Sequence, residues 1–563
     1  MTEHKRVVIV GGVAGGASCA ARMRRMDEKA EILVLEKGPH VSFANCGLPY
    51  YTGGVIEEEE KLLLANPEKF RATFGIDVRV MHEVTAIDRD AKTVEVLDRH
   101  SGQTTTERYD ALVLSPGATP IVPPFDGVDL PGIFTLRTVP DAVSIRAWVE
   151  KRSAKRAVVV GGGFIGLEMA ENLRHRGLEV TLIEMLPQVM PPLDPEMITP
   201  VHEHLREKGV DLRLETAVKA FEKAGDGLAV LTEDGGRFEA EIVIMSIGVR
   251  PSSQLAKDAG LELNQRGAIK VDKRMRTSDP AIYAIGDAVE TYNSITDEPM
   301  VLPLAGPANR QGRLVADLIA GRDGEFRGVQ GTAVVGVFDL TVANTGLSEK
   351  ACQGANRAYE KVYVFPANHV GYYPGAEKIA LKLVFDSNDG RVLGAQAVGK
   401  AGVARRIDVI AMAIQMGATV FDLEQAELCY APQYGAAKDP VNMAGFVAAN
   451  AIRGDAPVVH WPQVMEVLEK GESEQGPVVL DARPKAAWER GNVPGVKNIP
   501  LPELRERLGE IPKDRPVWVH CMVGQTSHNA TRVMRENGFD ASNISGGFTS
   551  YQMFEGVRKR EKV

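Results

Sequence analysis

Two stretches of the chain repeat one pattern of apolar and polar positions. The apolar run 7–10 is followed by the segment GGVAGG, a stretch of helical length, and a second apolar run that ends at Glu36. The run 157–160 is followed by GGGFIG, another stretch of helical length, and a run that ends at Glu184. A short apolar run bounded by glycines is typical of a buried strand. A strand, glycine turn, helix and second strand ending in a carboxylate form a dinucleotide-binding βαβ unit, so the pattern predicts an α/β protein with two nucleotide-binding domains.

The two glycine segments differ in their central position. The second copy keeps all three glycines of the GxGxxG pattern, whereas the first has Val13 between Gly11 and Gly16. The middle glycine lets the backbone approach a pyrophosphate closely, so we expect Val13 to displace that group slightly. One such segment is weak evidence, and a turn that binds no nucleotide is the alternative. Two copies, each followed by a strand-terminal glutamate, favour two bound nucleotides.

The pattern changes beyond residue 330. Alternation over 391–398 predicts a strand, and the stretches 404–417 and 440–452 predict helices. Residues 454–457, Gly-Asp-Ala-Pro, predict a linker. The remainder has its own apolar runs, at 478–480 and 517–519, and is predicted to be a separate compact α/β domain.

Composition narrows the classes of function. The chain of 563 residues carries 66 basic and 75 acidic side chains, a net charge of −9, which argues against nucleic acid as a main partner. The five cysteines are odd in number and widely spaced, which excludes a secreted disulfide framework, and no ligand pattern predicts a metal site. The N-terminal apolar run is too short for a signal peptide, and no apolar stretch approaches the ~20 residues of a membrane helix. We expect a cytoplasmic protein that binds no membrane.

Further landmarks extend the two nucleotide units. Segment 277–287 is a predicted strand followed by Gly286 and Asp287, and the segments LSPGA at 114–118 and SIGVRP at 246–251 are predicted crossings between nucleotide domains. Together they resemble the FAD-dependent pyridine nucleotide-disulfide oxidoreductases over residues 1 to about 450. The resemblance implies FAD in the first unit, a nicotinamide cofactor in the second, and Asp287 on the flavin ribityl chain.

The resemblance also implies which residues hold the cofactors. Glu36 is expected on the FAD ribose and Glu184 on the nicotinamide-side ribose. Because no arginine follows Glu184 to meet a 2′-phosphate, and the carboxylate would repel one, NADH is favoured over NADPH. The predicted cofactor-binding set is Gly11, Gly12, Ala14, Gly15, Gly16, Glu36, Ser115, Gly117, Asp287, Gly161, Gly163, Gly166, Glu184 and Gly248.

The redox centre is predicted at Cys46, in the segment SFANCGLP. Without a second cysteine nearby, this sulfur can cycle only with an external thiol, a persulfide, or as a sulfenic acid. Pro49 suits the first turn of a helix, which places Cys46 near a helix N-terminus, where the dipole favours the thiolate. Cys19 is predicted to lie in the core, and Cys352 has no supporting motif.

The SFxxCG segment resembles the single-cysteine branch, which contains coenzyme A-disulfide reductases, NADH oxidases and NADH peroxidases. The oxidases and peroxidases carry a histidine where this chain has Ala14, so thiol substrates are favoured. Arg22 and Arg25 share one helix face. In the coenzyme A branch, basic residues at these positions meet the coenzyme A phosphates, and Ser42 and Asn45 line the same channel. For the two arginines alone, a solvated helix face is an equally good interpretation.

Two tyrosine segments support the coenzyme A branch. GYYPG at 371–375 and LCYAP at 428–432 resemble motifs in which two tyrosines of the partner subunit of a homodimer approach the active-site cysteine. Tyr372 and Tyr430 are the best matches, Tyr373 matches less well, and Lys438 follows as a further candidate contact to coenzyme A. The alternative is that these tyrosines only pack a dimer interface. Cys429 is expected to be structural.

The C-terminal domain resembles the rhodanese sulfurtransferases. The segments LDAR at 480–483 and GNVPG at 491–495 precede a strand that ends at Cys521 and a loop, CMVGQTS, whose backbone N–H groups can converge on the sulfur of a persulfide. The family usually has arginine at the position of Thr526 and often an aromatic residue at that of His528. The loss of this cation leaves efficient use of anionic donors such as thiosulfate in doubt.

Four domains follow from these resemblances. They are an FAD domain over 1–115 and 251–325, an NAD domain over 116–250, an α+β dimerisation domain over 326–455, and a rhodanese-like α/β domain over 458–563. The predicted protein is a homodimeric, NADH-dependent flavoenzyme that reduces coenzyme A disulfide, coenzyme A persulfide or polysulfide, with Cys521 carrying sulfane sulfur to or from coenzyme A. The alternatives are an NADH oxidase or peroxidase that cycles through sulfenic acid at Cys46, and a rhodanese domain that acts only as a sulfur-sensing or docking module.

Overall fold

The structure is a computed structural model that describes residues 4–471 and 476–561. It forms two compact units. The first comprises Met1–Leu186 and Gly209–Gln330, and the second comprises Pro187–Lys208 and Gly331–Val563. Segment Pro187–Lys208, which the sequence prediction assigns to the NAD domain, therefore packs in the second unit, and the four domain boundaries themselves stay a prediction.

The first unit contains two parallel five-stranded sheets, one for each glycine turn, as the apolar pattern predicts. The strands of the first sheet, in spatial order, are Ile282–Ala284, Ala111–Leu114, Arg6–Val10, Glu31–Glu36 and Asp77–Val80. Those of the second are Val210–Arg213, Glu179–Ile183, Arg156–Val160, Ile242–Met245 and Ile133–Phe134. In both sheets the strand before the glycine turn is central, and its residues 7–9 or 157–160 are buried, which explains why these positions are apolar.

Helices cover these sheets. The helix that follows the first glycine turn, Ala14–Met26, lies against Ala305–Ile319, and a β-carbon at Gly312 would overlap the carbonyl of Gly15, so the close approach of the two helices requires glycine there. The helix that follows the second glycine turn, Phe164–His175, is called here the second turn helix. The other helices of this unit are Leu48–Gly53, Pro67–Phe74, Val139–Arg152 and Gln254–Asp258.

The two predicted crossings between the nucleotide-binding regions pair with each other. Ala118–Pro120 and Val249–Pro251 form a two-stranded antiparallel sheet with Val249 opposite Pro120. Three further small sheets complete the unit. Their strands are His82–Asp88, Thr93–Asp98 and Thr104–Arg108; Val218–Ala224, Gly227–Thr232 and Arg237–Ala240; and Ile269–Lys270, Val289–Tyr292 and Pro299–Met300.

The second unit contains an antiparallel sheet and a parallel sheet. The antiparallel strands, in spatial order, are Ala333–Val337, Leu340–Gly346, Val392–Gly399, Ile379–Phe385 and Glu360–Val364, and the parallel strands are Val458–Val459, Ala541–Ile544, Val517–His520, Val478–Asp481 and Lys497–Asn498. The helices are Pro195–Glu207, Glu349–Gly354, Val403–Gln415, Val420–Glu424, Pro440–Arg453, Trp461–Lys470, Lys485–Glu489, Leu501–Leu504, Gln525–Glu536 and Gly547–Glu561. The strand predicted at 391–398 and the helices predicted at 404–417 and 440–452 are confirmed within one or two residues.

The parallel sheet is held to the antiparallel sheet by direct bonds. The Tyr363 N–H donates to the Ser545 hydroxyl at 3.0 Å, and His460 Nε2 lies 2.8 Å from Glu360 Oε1. The predicted linker is packed as well, because Ala456 is buried and the Asn543 N–H donates to the Pro457 carbonyl. The C-terminal domain is therefore fixed within this unit rather than suspended on a free tether.

A buried cation lies in the same unit. Lys382 Nζ, fully buried, is 2.7 Å from Asp194 and 2.6 Å from Glu196, and it also pairs with Glu349. These three carboxylates are close enough to share a metal ion, but the Lys382 ammonium fills that position. Because Glu196 also accepts from the Tyr363 hydroxyl at 2.8 Å, the cluster ties helix Pro195–Glu207 to the antiparallel sheet.

Among the described residues, no helix is both long and apolar enough to cross a membrane.

Candidate functional site

Cys46 lies where the sequence predicts, at the start of a short helix. It is the middle residue of a 3₁₀ turn, Asn45–Gly47, and the helix Leu48–Gly53, called here the cysteine helix, follows with Pro49 in its first turn. The preceding loop is fixed by a bridge between Phe43 and Leu63. The Cys46 thiol is exposed and free.

The charges around Cys46 oppose the expected stabilisation of the thiolate. Partial burial of the Cys46 side chain raises its pKa, the negative charges of Glu168 and Asp287 raise it further, and Arg137 and a backbone hydrogen bond lower it. The cysteine helix has six residues and supplies a weak dipole, whereas two carboxylates face the sulfur. In this environment the thiol form of Cys46 is favoured, which the position at a helix start alone does not predict.

Arg137 is a site residue that the sequence analysis missed. Its Nε donates to the Ala118 carbonyl at 2.8 Å, and its guanidinium lies 3.8 Å from Asp287. With the Asn45 amide oriented to satisfy both partners, Asn45 donates to the Arg137 carbonyl at 3.1 Å and accepts from its guanidinium. Arg137 thus contacts Asn45, the residue before Cys46, and its positive charge lowers the pKa of the Cys46 thiol. No local motif marks Arg137, because its partners are distant in sequence.

Tyr50 and Glu168 were also missed. Tyr50, four residues after Cys46, donates its hydroxyl to Glu168 Oε1 at 3.2 Å. Burial raises the pKa of Glu168 to about 7, and burial together with the neighbouring Glu168 raises the pKa of Tyr50 to about 12. The spacing of four residues after a redox cysteine could have drawn attention to Tyr50, but Glu168 comes from the second turn helix and carries no signal of its own.

The two strand-terminal glutamates cap the two glycine turns in the same way. Glu36 accepts from the Gly12 N–H at 2.9 Å and from the Gly38 N–H at 2.8 Å. Glu184 accepts from the Gly162 N–H at 2.6 Å and from the Leu186 N–H at 2.9 Å. Both carboxylates therefore sit at the mouth of a glycine turn, where a ribose would lie.

The glycine turns have the shape that nucleotide binding requires. Gly11 and Gly161 both have positive φ, at 94° and 107°, and a β-carbon on either would overlap the carbonyl of Ser115 or Ser246. Gly16 and Gly166 lie against these first glycines in the same manner, whereas a β-carbon at Gly163 would point into open space. That space is where a pyrophosphate could approach, so the second turn fits a dinucleotide. In the first turn the outer glycines are placed in the same way, but Val13 occupies the middle position, and Ala14 and Gly15 open the helix.

The remaining residues predicted to bind cofactors lie just after strands of the first sheet or at the two crossings. Ser115 follows a strand of the first sheet, with its N–H on the Val10 carbonyl, and Gly117 and Gly248 have positive φ at the two crossings. Asp287 follows Gly286, whose N–H donates to the Gln311 side chain at 2.7 Å. The carboxylate of Asp287 is partly buried, as suits a group that meets a ligand hydroxyl. Burial raises its pKa, and Arg137 lowers it.

The residues predicted to contact coenzyme A differ in their exposure and in their partners. Arg22 forms an ion pair with Asp317 at 2.7 Å and is mostly buried, whereas Arg25 on the same helix is exposed. Arg22 is therefore already neutralised, so Arg25 is the better candidate for a phosphate. Ser42 has a positive φ of 49°, with its N–H on the Gly12 carbonyl, so the loop before Cys46 is strained into position. Lys438, in the second unit, is exposed.

Tyr372 and Tyr430 meet in the second unit. Their hydroxyl oxygens lie 3.1 Å apart, and both rings are largely exposed, at 76% and 48%. Tyr373 packs against His369 instead. The two matches that the sequence favoured therefore form a pair of hydroxyls on an exposed surface.

Cys521 lies at the end of strand Val517–His520, in the loop that opens helix Gln525–Glu536. The Gly524 N–H donates to its sulfur at 3.2 Å, as the loop pattern predicts, and the buried Ser527 hydroxyl donates at 3.3 Å. Ser527 was not assigned a role from sequence, although a hydroxyl six residues after the cysteine could have suggested one. The sulfur is buried at the base of this cradle, which suits a persulfide anion.

A buried ion pair lies beside the strand that leads to Cys521. Asp481 and Arg483 form a buried ion pair at 2.6 Å, with the Arg483 guanidinium 4.1 Å over the Phe548 ring. Burial lowers the pKa of His520 to about 4, so this histidine is neutral at physiological pH. Thr526 and His528 are partly exposed, and the loop residues 521–527 contain no basic side chain.

Of the other cysteines, Cys19 lies in the core as predicted. Burial raises the pKa of Cys19 to about 12 and that of Cys352 to about 11, so both are unreactive thiols. Cys429 is exposed, with its carbonyl bound by Arg405. Cys46, whose thiol is exposed at a helix start, and Cys521, whose sulfur accepts two hydrogen bonds, therefore remain the candidates for sulfur chemistry.

Three family models match the chain. The pyridine nucleotide-disulphide oxidoreductase model matches residues 5–312, its dimerisation domain matches residues 332–439, and a rhodanese-like domain matches residues 464–553. These matches confirm the predicted fold class and the two resemblances.

Relatives and solved structures agree with them. Coenzyme A disulfide reductases of Staphylococcus epidermidis and Staphylococcus haemolyticus are 36% and 37% identical over 79% of this chain and 99% of their own. The structure of reduced Bacillus anthracis CoADR-RHD has a TM-score of 0.96 at 46% identity and covers 99% of both chains. A NAD-dependent persulfide reductase from A. fulgidus has a TM-score of 0.88 at 39% identity and covers 97% of this chain and all of its own. Because the family model matches more than half of its length, the chain belongs to the pyridine nucleotide-disulphide oxidoreductase family.

Proposed function

We propose that this protein is an NADH-dependent flavoprotein reductase that reduces coenzyme A disulfide or coenzyme A persulfide at Cys46 and receives sulfane sulfur through Cys521. The observation that carries the proposal is the exposed Cys46, set between Arg137, Glu168 and Asp287 with no second cysteine in its loop. A lone thiol of this kind needs the second sulfur from its substrate. Polysulfide is a further acceptor that the same site accommodates.

The cofactors would be held by the two capped turns. The first turn with Glu36 and Asp287 would hold FAD, and the second turn with Glu184 would hold NADH. When bound, FAD would supply the means of carrying an electron pair from NADH to sulfur. The protein's own residues do the rest, since they present Cys46, hold the riboses by their hydroxyls and place Arg137 beside the sulfur.

The sulfur chemistry then runs through Cys46. The Cys46 thiolate attacks one sulfur of the substrate, a new S–S bond forms, and the departing sulfur leaves with the electron pair of the broken bond. The positive charge of Arg137 stabilises the thiolate. The Tyr372–Tyr430 hydroxyl pair is the proposed proton donor to the departing thiolate in a homodimer, and Arg25, Ser42, Asn45 and Lys438 are proposed contacts to coenzyme A.

Cys521 supplies the sulfane sulfur. Its sulfur already accepts from the Gly524 N–H and the Ser527 hydroxyl, which suit the terminal charge of a persulfide. Because the domain is fixed by bonds such as Tyr363 to Ser545, Cys521 does not swing on a tether. Sulfur therefore travels on a small carrier, for which coenzyme A is the candidate.

The first prediction concerns Cys46. Cys46→Ser should retain FAD and keep NADH-dependent reduction of artificial electron acceptors, because hydride transfer to flavin needs no thiol. It should lose reduction of coenzyme A disulfide and persulfide, measured as NADH oxidation with each acceptor. Cys429→Ser, which removes the other exposed thiol, is the matched control and should resemble the wild type. Near-normal persulfide reduction by Cys46→Ser would contradict the assignment. So would a wild-type enzyme that prefers oxygen or peroxide as its acceptor.

The second prediction concerns the choice of nicotinamide. Glu184 should repel a 2′-phosphate, so kcat/KM should favour NADH over NADPH by at least about tenfold, or about 1.4 kcal/mol. Glu184→Gln should lower the ratio of kcat/KM for NADH to kcat/KM for NADPH, because it raises kcat/KM for NADPH. Glu179→Gln, on the exposed start of the same strand, should leave it unchanged. Equal values for the two cofactors in the wild type would show that the carboxylate does not discriminate.

The third prediction separates the two cysteines. Cys521→Ser should reduce preformed coenzyme A persulfide at a nearly wild-type rate, because that step uses Cys46 alone. It should fail when sulfane sulfur must first be loaded onto coenzyme A. Since Thr526 offers no cation, thiosulfate should be a poor donor even for the wild type. If Cys521→Ser also abolishes reduction of preformed persulfide, the carrier model is wrong and the two cysteines share one site.

A further inference from the structure

Tyr372 and Tyr430 belong to two loops of the second unit, 365–378 and 425–439, and all residues of both loops lie outside helices and strands. Both rings are largely exposed, yet their hydroxyl oxygens are 3.1 Å apart. An exposed side chain on an irregular loop ordinarily samples many positions. Two such hydroxyls stay within hydrogen-bond distance only if the main chain that carries them is fixed.

Arg405 fixes the loop that carries Tyr430. It lies in the first turn of helix Val403–Gln415, and its Nη1 donates to the Tyr434 carbonyl at 2.8 Å. Its Nη2 donates to the Cys429 carbonyl at 3.0 Å. These two carbonyls lie on either side of Tyr430 in the chain, so one planar guanidinium holds both ends of the segment that contains the tyrosine.

Arg406, the next residue on the same helix, fixes the loop that carries Tyr372. It is buried, its Nη2 donates to the Asn368 carbonyl at 2.7 Å, and it pairs with Asp439 at 2.9 Å. A β-carbon at Gly402, the residue before the helix, would overlap this guanidinium, so glycine is required there. Two neighbouring arginines therefore anchor the two tyrosine loops to one helix turn.

The two loops are also joined to each other through their main chains. The Val370 N–H donates to the Gly435 carbonyl at 3.1 Å. The position of each tyrosine thus depends on both loops. Because Arg406 is buried and paired, its replacement would threaten the fold, whereas the side chain of Arg405 is 38% exposed and can be changed with less risk.

We propose that Arg405 is a positioning residue that holds the Tyr430 hydroxyl within hydrogen-bond distance of the Tyr372 hydroxyl, so that the pair can give a proton to the departing thiolate. This inference rests on the proposed role of the two tyrosines as proton donor. Arg405 itself acts through the loop, since both of its terminal nitrogens are bound to main-chain carbonyls.

The distance between the hydroxyls matters because proton transfer leaves a charge behind. The phenol that gives its proton to the departing sulfur becomes a phenolate, and the electron pair of the broken O–H bond stays on its oxygen. The other hydroxyl donates a hydrogen bond to this oxygen, which later regains a proton from solvent. A hydrogen bond to a charged oxygen is roughly twice as strong as one between neutral groups, so the pair is a better donor than a single tyrosine.

The test compares two substrates that differ in the thiol that departs. Coenzyme A disulfide releases an alkyl thiolate, which needs a proton. The mixed disulfide of coenzyme A and thionitrobenzoate releases an acidic aromatic thiolate, which leaves without one. Release of the first thiol by NADH-reduced, desalted holoenzyme is followed over a range of substrate concentrations, which separates the maximal rate from the apparent Kd. Reduction of an artificial electron acceptor checks flavin and NADH.

The variants separate a positioning role from a structural one. They are Arg405→Met, Arg405→Lys, Tyr372→Phe/Tyr430→Phe, and Arg405→Met added to that tyrosine variant. Arg453→Met is the matched control, because the Arg453 side chain is 42% exposed and also makes two hydrogen bonds, both to Glu424.

Arg405→Met should release the first thiol from coenzyme A disulfide about tenfold more slowly at saturation, with an apparent Kd within about twofold of the wild type. It should release thionitrobenzoate at the wild-type rate. Arg405→Lys should recover part of the loss, because an ammonium can still reach one carbonyl. The tyrosine variant should lose about 100-fold with coenzyme A disulfide, and Arg405→Met should add no further loss to it. Arg453→Met should match the wild type with both substrates.

The proposal is overturned by equal losses with both disulfides, or by a loss that appears mainly in the apparent Kd. Losses that multiply when the arginine and tyrosine changes are combined would also overturn it, as would an unimpaired Arg405→Met enzyme or the same loss in Arg453→Met. Failure of the proposed function gives different results. An unimpaired Tyr372→Phe/Tyr430→Phe enzyme would remove the donor role of the tyrosines, and an active Cys46→Ser enzyme would remove the role of the sulfur, whatever Arg405 does.

Discussion

The redox site depends on the packing of the cysteine helix, Leu48–Gly53, against the second turn helix, Phe164–His175. Gly53 permits this approach because its missing β-carbon leaves room for Asn172. The same contact places Glu168 of one helix within hydrogen-bond reach of Tyr50 on the other. The second turn helix therefore also supplies Glu168, a negative charge that acts on Cys46. The predicted nicotinamide-binding domain and the Cys46 site thus share this helix.

The second unit depends on a different constraint, the buried Lys382 ammonium. Removal of an ammonium and three carboxylates from water is costly unless each charge has close partners. Lys382 meets Asp194, Glu196 and Glu349, and the main-chain N–H of Asp194 is satisfied by Gln396. Because Glu196 also accepts from Tyr363, whose own N–H donates to Ser545, the cluster continues into the domain that carries Cys521. A single network thus fixes the rhodanese-like domain on the antiparallel sheet, which is why the proposed transfer of sulfur by a carrier fits better than transfer by a swinging domain.

Local sequence signals predicted the elements well and the electrostatics poorly. The glycine turns, the strands that lead to Glu36 and Glu184, and the helix after Cys46 each depend on local patterns, where spacing is informative. Arg137, Glu168 and Lys382 act through partners on other elements, and no motif marks them. The same limit explains Arg22, whose helix-face position suggested a phosphate contact but whose charge is taken by Asp317. The expectation of a thiolate at Cys46 is wrong for the same reason. Burial and the carboxylates that the fold brings near the sulfur raise its pKa and outweigh the dipole of a short helix.

The central claim is that Cys46 forms its disulfide with the substrate rather than with another thiol of the chain. The most direct measurement is peptide mass spectrometry of the NADH-reduced, desalted holoenzyme after incubation with coenzyme A disulfide in the absence of NADH. The account predicts the mass of one coenzyme A on the peptide that contains Cys46, and loss of this mass when NADH is added. A Cys46 peptide that stays unmodified, or that gains only oxygen, while the enzyme reduces coenzyme A disulfide would contradict it.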